Sequence, residues 1–487
     1  MAYEHGVRIL ENPTQIVTPI FSDADLQIVV GTAPIHLLEE PLKAVNTPIL
    51  INKWSEGVQK IGYSEDWKKY TLCQSLFATF QVVNVAPIVF INVLDPEKHA
   101  TQINDVAHSI SEKQVIIADK DSPVVGVLLN TIVVKNQANT AVKDTDYVVA
   151  FNNDGYAVIS ILASGALAAV ESVTVSYKLL DASLVDEDDI IGGYNINKKR
   201  NEGLEAVSDV FPKLNLVPGQ IIAPGWSHKP TVSAVMSAKS QKINDSFNAD
   251  TVKDIDVETV TSYDEAPAWK NQNGYTTKDA TLCYLKVKIG EKVMWMSALQ
   301  AALKAYVTAS NDGIPSKSPS NKLVAISGTV LADDTEVLLD KAQANFLNAN
   351  GIATMLNFGG FRSWGNEKAC YPAVTDVKDR FINIRSMFNW WGNSFILTYF
   401  QKVDDNTDYR LIESVVDSEN ARANGFVGSG QVAGAKMSFK RVDNPITSIL
   451  DGTIKFEQKL AFWPPAKDIV NTLEFDPNML QSAMGGE

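Results

Sequence analysis

The sequence predicts an α/β core of the α+β kind, interrupted by an inserted all-β domain and carrying an extended strand arm at each end. Three observations lead there. Strand and helix patterns alternate through residues 26–96 and again from 197 onward. Between 114 and 180 nearly every segment reads as strand, with no convincing helical period. Apolar, β-forming segments broken by proline stand at both ends of the chain. With 487 residues, 45% of them hydrophobic and 21% charged, the chain is long enough for two or three globular domains.

In chain order, residues 1–22 form the first arm. Val7, Ile9 and Leu10 are its apolar positions, and Pro13 and Pro19 prevent a helix from running through it. Residues 23–98 make the first part of the core. "LQIVVGTAP" (26–34) is a buried strand closed by a turn, "TLCQSLFATFQVVN" (71–84) has helical spacing, and "PIVFINVLDP" (87–96) is a second strand. The inserted β-domain spans 99–193, with Asn153-Asp154-Gly155 as a hairpin turn. Acidic "DEDD" (186–189) lacks the spacing of a calcium loop and reads as a solvated linker.

The core resumes over 194–462. Helices are expected in 197–214, after Pro230, from about 297, over 335–349, and in two long patterns near 376–402 and 408–426; "GQIIAPGW" (219–226) supplies a strand. "TIKFEQKLAF" (453–462) alternates, with Ile454, Phe456, Leu460 and Phe462 on one face and Thr453, Lys455, Glu457 and Lys459 on the other. Gln458 and Ala461 break the pattern. Residues 463–487 are a linker and second arm. Pro464-Pro465 disfavour a tight hairpin, so "KDIVNTLEFD", with Ile469, Val470, Leu473 and Phe475, projects away. Isolated strands leave backbone groups and an apolar face unsatisfied, so the arms either fold back or add to a neighbour's sheet.

Several function classes are disfavoured. Forty-three basic against 57 acidic residues give a net charge of −14, unsuited to phosphate neutralisation, so no direct nucleic-acid partner is expected. No apolar window reaches ~18 residues and the first residues lack a secretory pattern, so membrane insertion and export are not expected. Cys73, Cys283 and Cys370 are far apart, and the five histidines have no metal-type spacing, which points to a reducing cytoplasm, no metal and no cofactor. "GFVGSGQVAG" (425–434) follows a helical pattern, unlike a phosphate loop.

One stretch, "NFGGFRSWGNEKACYP" (357–372), bears on catalysis. Arg362 could clamp an anion and Cys370 could be a nucleophile. Alternatively Gly359 and Gly360 allow a tight turn that Phe361 and Trp364 pin to the core, with Arg362 bonding carbonyls or a carboxylate. The absence of a base for Cys370 or a partner for Ser227-His228 favours the structural reading and a non-enzymatic protein.

"GVRILENPT", "GQIIAPGWS" and "LNANGIATMLNFGGFRSWGNEKACYP", followed by a long helix, together resemble the tail sheath proteins of contractile phages and R-type pyocins. The resemblance implies a structural subunit that polymerises with itself as stacked hexameric rings around a tail tube. Its further partners would be baseplate and tail terminator proteins. The assembly would contract from a metastable extended state and drive the tube through an envelope. It would form in the host cytoplasm and reside in a virion tail or tailocin particle. Residues 3–20 and 467–477 would be the exchanged arms and 453–462 part of the receiving sheet. Pro13, Pro464 and Pro465 are hinge candidates. The helix near 408–426 offers Arg410, Glu413 and Arg422 as tube-contact candidates, or is an ordinary amphipathic core helix. Two alternatives remain: the sheath of another contractile injection system, and an α/β enzyme or binding protein with a β-module.

Overall fold

The computed structural model describes residues 20–21, 24–119, 122–137 and 139–485. Val7, Ile9, Leu10 and Pro13 lie outside the described residues.

The core is an eight-stranded sheet. Its order is Phe361–Trp364, Ile352–Asn357, Ala280–Cys283, Asp250–Asp254, Gln220–Ile222, Gln27–Gly31, Ile88–Asn92 and Ile49–Ile51. Pairings are parallel inside the sheet, with one antiparallel strand at each edge. Gln27–Gly31 and Ile88–Asn92 are buried along their whole length, as sheets covered on both faces require. The helix Met296–Ala309 packs on the middle strands and exposes only Tyr306, small alanines elsewhere allowing close approach.

Between 100 and 180 the chain is almost all antiparallel strand. One sheet joins Asn139–Thr140, Val133–Asn136, Ser172–Leu180 and Ala100–Ser109, and another joins Tyr147–Phe151, Ala157–Ile161 and Gln114–Ile116. Their inward residues, Val115, Val134, Tyr147, Ile159 and Val175 among them, form a hydrophobic cluster of their own.

Four segments differ from expectation, each for a local reason. Residues 197–202 are not helical but belong to the hairpin Gly193–Asn195/Arg200–Glu202. Gly203 closes it at φ 60°, where a Cβ would meet the Ile190 carbonyl at 2.5 Å; a 3₁₀ turn and the short helix Val210–Leu214 follow. The helix expected over 335–349 begins only at Lys341, because Asp340 and Gln343 form a capping box and Val337 is drawn into a hydrogen bond with Thr329 O. The acidic run 186–189 is no solvated linker. Asp186 caps the helix Glu187–Ile191, and Asp189 meets Lys98 at 2.5 Å and His99 at 3.0 Å. Finally, Asp250–Asp254 and Ala280–Cys283 are central strands without an apolar signature in the first case, its sequence being Asp-Thr-Val-Lys-Asp.

The C-terminal region pairs the long helices Ile382–Tyr399 and Tyr409–Gly428 with the two-stranded sheet Gly434–Phe439/Phe456–Ala461. Met387, Trp391, Ala423, Val432 and Phe462 form their shared core.

Candidate assembly surfaces

The glycine–aromatic stretch is a hairpin between Ile352–Asn357 and Phe361–Trp364. Gly359 and Gly360 take φ 63° and 110°, a region that disfavours residues with a Cβ. Arg362 donates from Nε to Phe358 O at 3.0 Å and from Nη1 to Asn321 O at 3.3 Å, so the guanidinium ties the turn to a neighbouring loop. Trp364 Nε1 donates to Asn345 at 2.9 Å, and Phe361 packs on the main core. Burial pushes the Cys370 thiol up, and its Sγ faces the Asp379 carbonyl at 3.4 Å. Ser227 bonds Asp254 at 3.1 Å instead of its neighbour His228, whose ring stacks on Trp295 at 4.7 Å; burial lowers the His228 pKa to about 4. These groups are arranged for packing, and none presents an activated nucleophile.

Polar burial is instead concentrated under the sheet. Lys304 Nζ lies 3.0 Å from Asp25 and 2.5 Å from Asp250, and Lys368 Nζ lies 3.0 Å from Asp250. Ser386 adds a hydrogen bond to Asp250 at 2.7 Å. Burial by itself would raise the Asp250 carboxyl, but the two ammonium groups outweigh it and hold it well below the carboxylate range. This network joins the strand Asp250–Asp254 to four segments distant in sequence, the loops at Asp25 and Lys368 and the helices Met296–Ala309 and Ile382–Tyr399. Four charges scattered over the chain leave no spacing by which sequence reasoning could have found it.

The two-stranded sheet has inequivalent edges. The helix Tyr409–Gly428 lies against Gly434–Phe439, and the Asn420 amide takes both backbone groups of Met437 (Met437 N to Oδ1, 2.8 Å; Nδ2 to Met437 O, 3.0 Å). That edge is partly occupied. On the other edge, Phe456–Ala461 pairs with no further strand among the described residues. The strand is shorter than the expected 453–462. Ile454 precedes it, because Asn444 captures the backbone of Lys455 at 2.7 and 2.9 Å, and Phe462 follows it into the core. Phe456 and Leu460 are half-buried on the face toward the helix, and Gln458 shares that face. Gln458 Nε2 donates to the fully buried Glu419 at 2.9 Å, which explains the break in alternation.

Glu419 is also the partner of Arg422 at 2.7 Å, and the Arg422 guanidinium lies 4.4 Å from the Trp391 ring centre. Of the three charged candidates on this helix, Arg422 is therefore engaged inside the chain, whereas Arg410 and Glu413 are exposed. The apolar side read from the sequence is Leu411, Ile412, Val415 and Val416; of these Ile412 and Val415 are buried, together with Glu419 and Ala423, while Leu411 and Val416 are half-buried.

Beyond Phe462 the chain is held by Trp463 Nε1 to Gly430 O at 3.2 Å and by Lys467 to Glu367 at 3.4 Å. Past that tether, residues 468–475 adopt no helix or strand, and Ile469, Val470, Leu473 and Phe475 are each more than three-quarters exposed. Pro464 and Pro465 lie in the same irregular segment. A short helix not foreseen, Pro477–Ala483, follows with Asp476 as its cap and exposes Met479 and Leu480.

Among the described residues no helix is long and apolar enough to cross a membrane, and no cluster of His, Cys, Asp or Glu could hold a metal ion.

No family model matches the chain. A tail sheath protein of Burkholderia phage BcepMu is 26% identical over 504 aligned residues, covering 99% of each chain. A major tail sheath protein of Serratia phage KSP20 is 30% identical over 145 residues, 30% of this chain and 35% of that one. The fold is similar to a chain in the anti-feeding prophage baseplate, with TM-score 0.57 and 13% identity over 98% of this chain and 100% of the other. It is equally similar to a chain in the contracted PVC sheath complex, an extracellular contractile injection system: TM-score 0.56 and 14% identity, over 98% and 99% of the two chains.

Proposed function

From its similarity over nearly its whole length to a tail sheath protein, we propose that this chain is a structural sheath subunit, not an enzyme, that polymerises through strand exchange. One observation carries the reading. Among the described residues the chain holds both halves of an incomplete sheet: a strand edge at Phe456–Ala461 that pairs with no further strand, and an apolar extended segment at 468–475 whose side chains are exposed. In a stacked assembly of hexameric rings the arm of one subunit would complete the sheet of another, with residues 3–20 as a second arm. Main-chain ladders tolerate rotation of the flanking linkers, so joints of this kind persist while rings turn and approach during contraction. Pro464 and Pro465, in an irregular segment, suit a hinge, and the same role is proposed for Pro13. The β-rich part between 99 and 193, with its own hydrophobic cluster, is read as a domain inserted on the outside of the core.

A tail tube, baseplate and tail terminator are the further partners of such a subunit, met during assembly in the host cytoplasm. Exposed Arg410 and Glu413 remain the candidates for polar contacts that a sheath can release on contracting. The deciding experiment is negative-stain microscopy of the full-length protein beside a chain ending at residue 466. Tubules or ring stacks from the first, and only folded monomer from the second, support the reading. Monomer from both at high concentration, or tubules from both, overturns it. Because the fold matches extracellular contractile injection systems over its whole length, a sheath of that kind is the second reading; co-purification with a tube and baseplate set, instead of a phage capsid, would favour it.

A further inference from the structure

The face of the two-stranded sheet turned away from the helix carries a feature that is unfavourable in isolation. Lys436 and Lys459 are direct cross-strand partners, and both are exposed. Like charges facing each other across an antiparallel pair destabilise it. The other acid on that face, Glu457, is already paired with Lys440. Neither Lys436 nor Lys459 has an ion-pair partner among the described residues.

The exposed arm has the opposite charge. From 468 to 476 it contains Asp468, Glu474 and Asp476 and no basic residue. In an extended strand side chains alternate, which places Ile469, Leu473 and Phe475 on one face and Asp468, Glu474 and Asp476 on the other, where Val470 is the one apolar residue among them. A strand added at the Phe456–Ala461 edge can present either face to the helix side. With the apolar face inward, Ile469, Leu473 and Phe475 extend the half-buried row of Phe456 and Leu460, and the acids line up beside Lys459 and Lys436. With the faces exchanged, three carboxylates approach the layer that contains Glu419, and the lysines face apolar side chains. A register slip by one residue produces the same exchange.

We infer, resting on the strand-exchange reading above, that Lys436 and Lys459 form an electrostatic register key that selects the facing and register of the acidic arm of a second copy of this chain. Seating that arm relieves the repulsion between the lysines. Seating is therefore coupled to assembly, and the attraction steers the encounter, as surface charges do when they are screened mainly by salt.

The test uses full-length protein and follows the concentration at which tubules appear, by sedimentation and microscopy. Three proteins are compared with wild type: K436E/K459E, D468K/E474K, and the four-fold charge exchange. All these side chains are exposed, and circular dichroism reports that each monomer is folded. Each double variant is expected to raise the critical concentration about tenfold or more at low salt, and the exchange to restore it to about threefold of wild type. At about 1 M salt, where the Debye length is ~3 Å, the differences should vanish. Wild-type assembly by both double variants, or no rescue by the exchange, overturns the charge key. The chain ending at residue 466 separates the two levels: if it cannot assemble while the double variants can, strand exchange stands and the key alone fails. If it assembles normally, the strand-exchange reading fails as well.

Discussion

Asp250 and Lys304 sit 2.5 Å apart beneath the central sheet, the carboxylate 1% and the ammonium-bearing side chain 6% exposed, with Lys368 on the carboxylate's other oxygen. Removing one partner of such a set strands the others. Asp250→Asn leaves two buried ammonium groups without their shared counter-charge, and the expected loss is ~3–5 kcal/mol. Urea unfolding of the monomer at neutral pH checks this; a change under ~1 kcal/mol would mean the lysines find other partners.

Asp254, at the opposite end of the same strand, behaves in the contrary sense. Burial raises its pKa to about 6, against the hydrogen bonds it accepts from Ser297 and Ser227. The unfolded value is ~3.9, so the folded state keeps the proton longer, and this group's contribution to stability falls as pH rises from ~4 to about 6. Asp254→Asn should remove that slope, leaving a chain as stable as wild type or more so at pH 7.5. Asp250, held low, contributes stability that is present above ~4 and lost as pH falls further. Denaturation curves at pH 4.5 and 7.5 for both variants separate the two effects.

The hairpin answers to backbone geometry. Gly360→Ala places a Cβ 3.0 Å from Leu323 at φ 110°, with an expected loss of ~1–3 kcal/mol in thermal or urea denaturation. Arg362→Gln, which frees two carbonyls at an exposed turn, should lose under ~1 kcal/mol.

Arg410 and Arg422 should part company. Arg410→Glu changes an exposed charge, so monomer stability stays within ~0.5 kcal/mol, and any defect should show in tube-guided assembly. Arg422→Glu puts a second carboxylate beside buried Glu419 and should destabilise by several kcal/mol, about 3–5. A stable R422E monomer would show that the Arg422 pair is not needed to keep Glu419 buried.

Ile469→Asp with Leu473→Asp tests the arm. Both side chains are exposed, at 86% and 87%, so the monomer's denaturation midpoint should not move. Tubule formation should be lost, because neither residue could then be buried in a joint.

The strands at Gln27–Gly31 and Ile88–Asn92, the hairpin at 352–364 and the long helices were legible because their apolar periods are long and their breaks are marked by glycine or proline. The strand Asp250–Asp254 was not legible, since four of its five residues are polar and become satisfied only by partners such as Lys304 and Ser237, supplied from elsewhere in the chain. Gln458 shows the same limit. It read as a flaw in an alternating strand until Glu419, 39 residues away, appeared opposite it. The Lys436–Lys459 opposition likewise depends on a register that no local pattern states.

The two prolines after Trp463 also decide what the arm competes with. Its nearest possible host is its own subunit's open edge, ending at Ala461, only a few residues back along the chain. To reach that edge the arm would have to reverse within residues 463–467, where Pro464 and Pro465 lack the N–H groups of a tight hydrogen-bonded hairpin and Lys467 pairs with Glu367. Pairing with its own edge is therefore disfavoured, despite the proximity. A linker able to form a tight hairpin would let each subunit close on itself and end growth. Under the proposed strand exchange, edge and arm stay available for different subunits, and a head-to-tail bond of that kind has no natural stopping size.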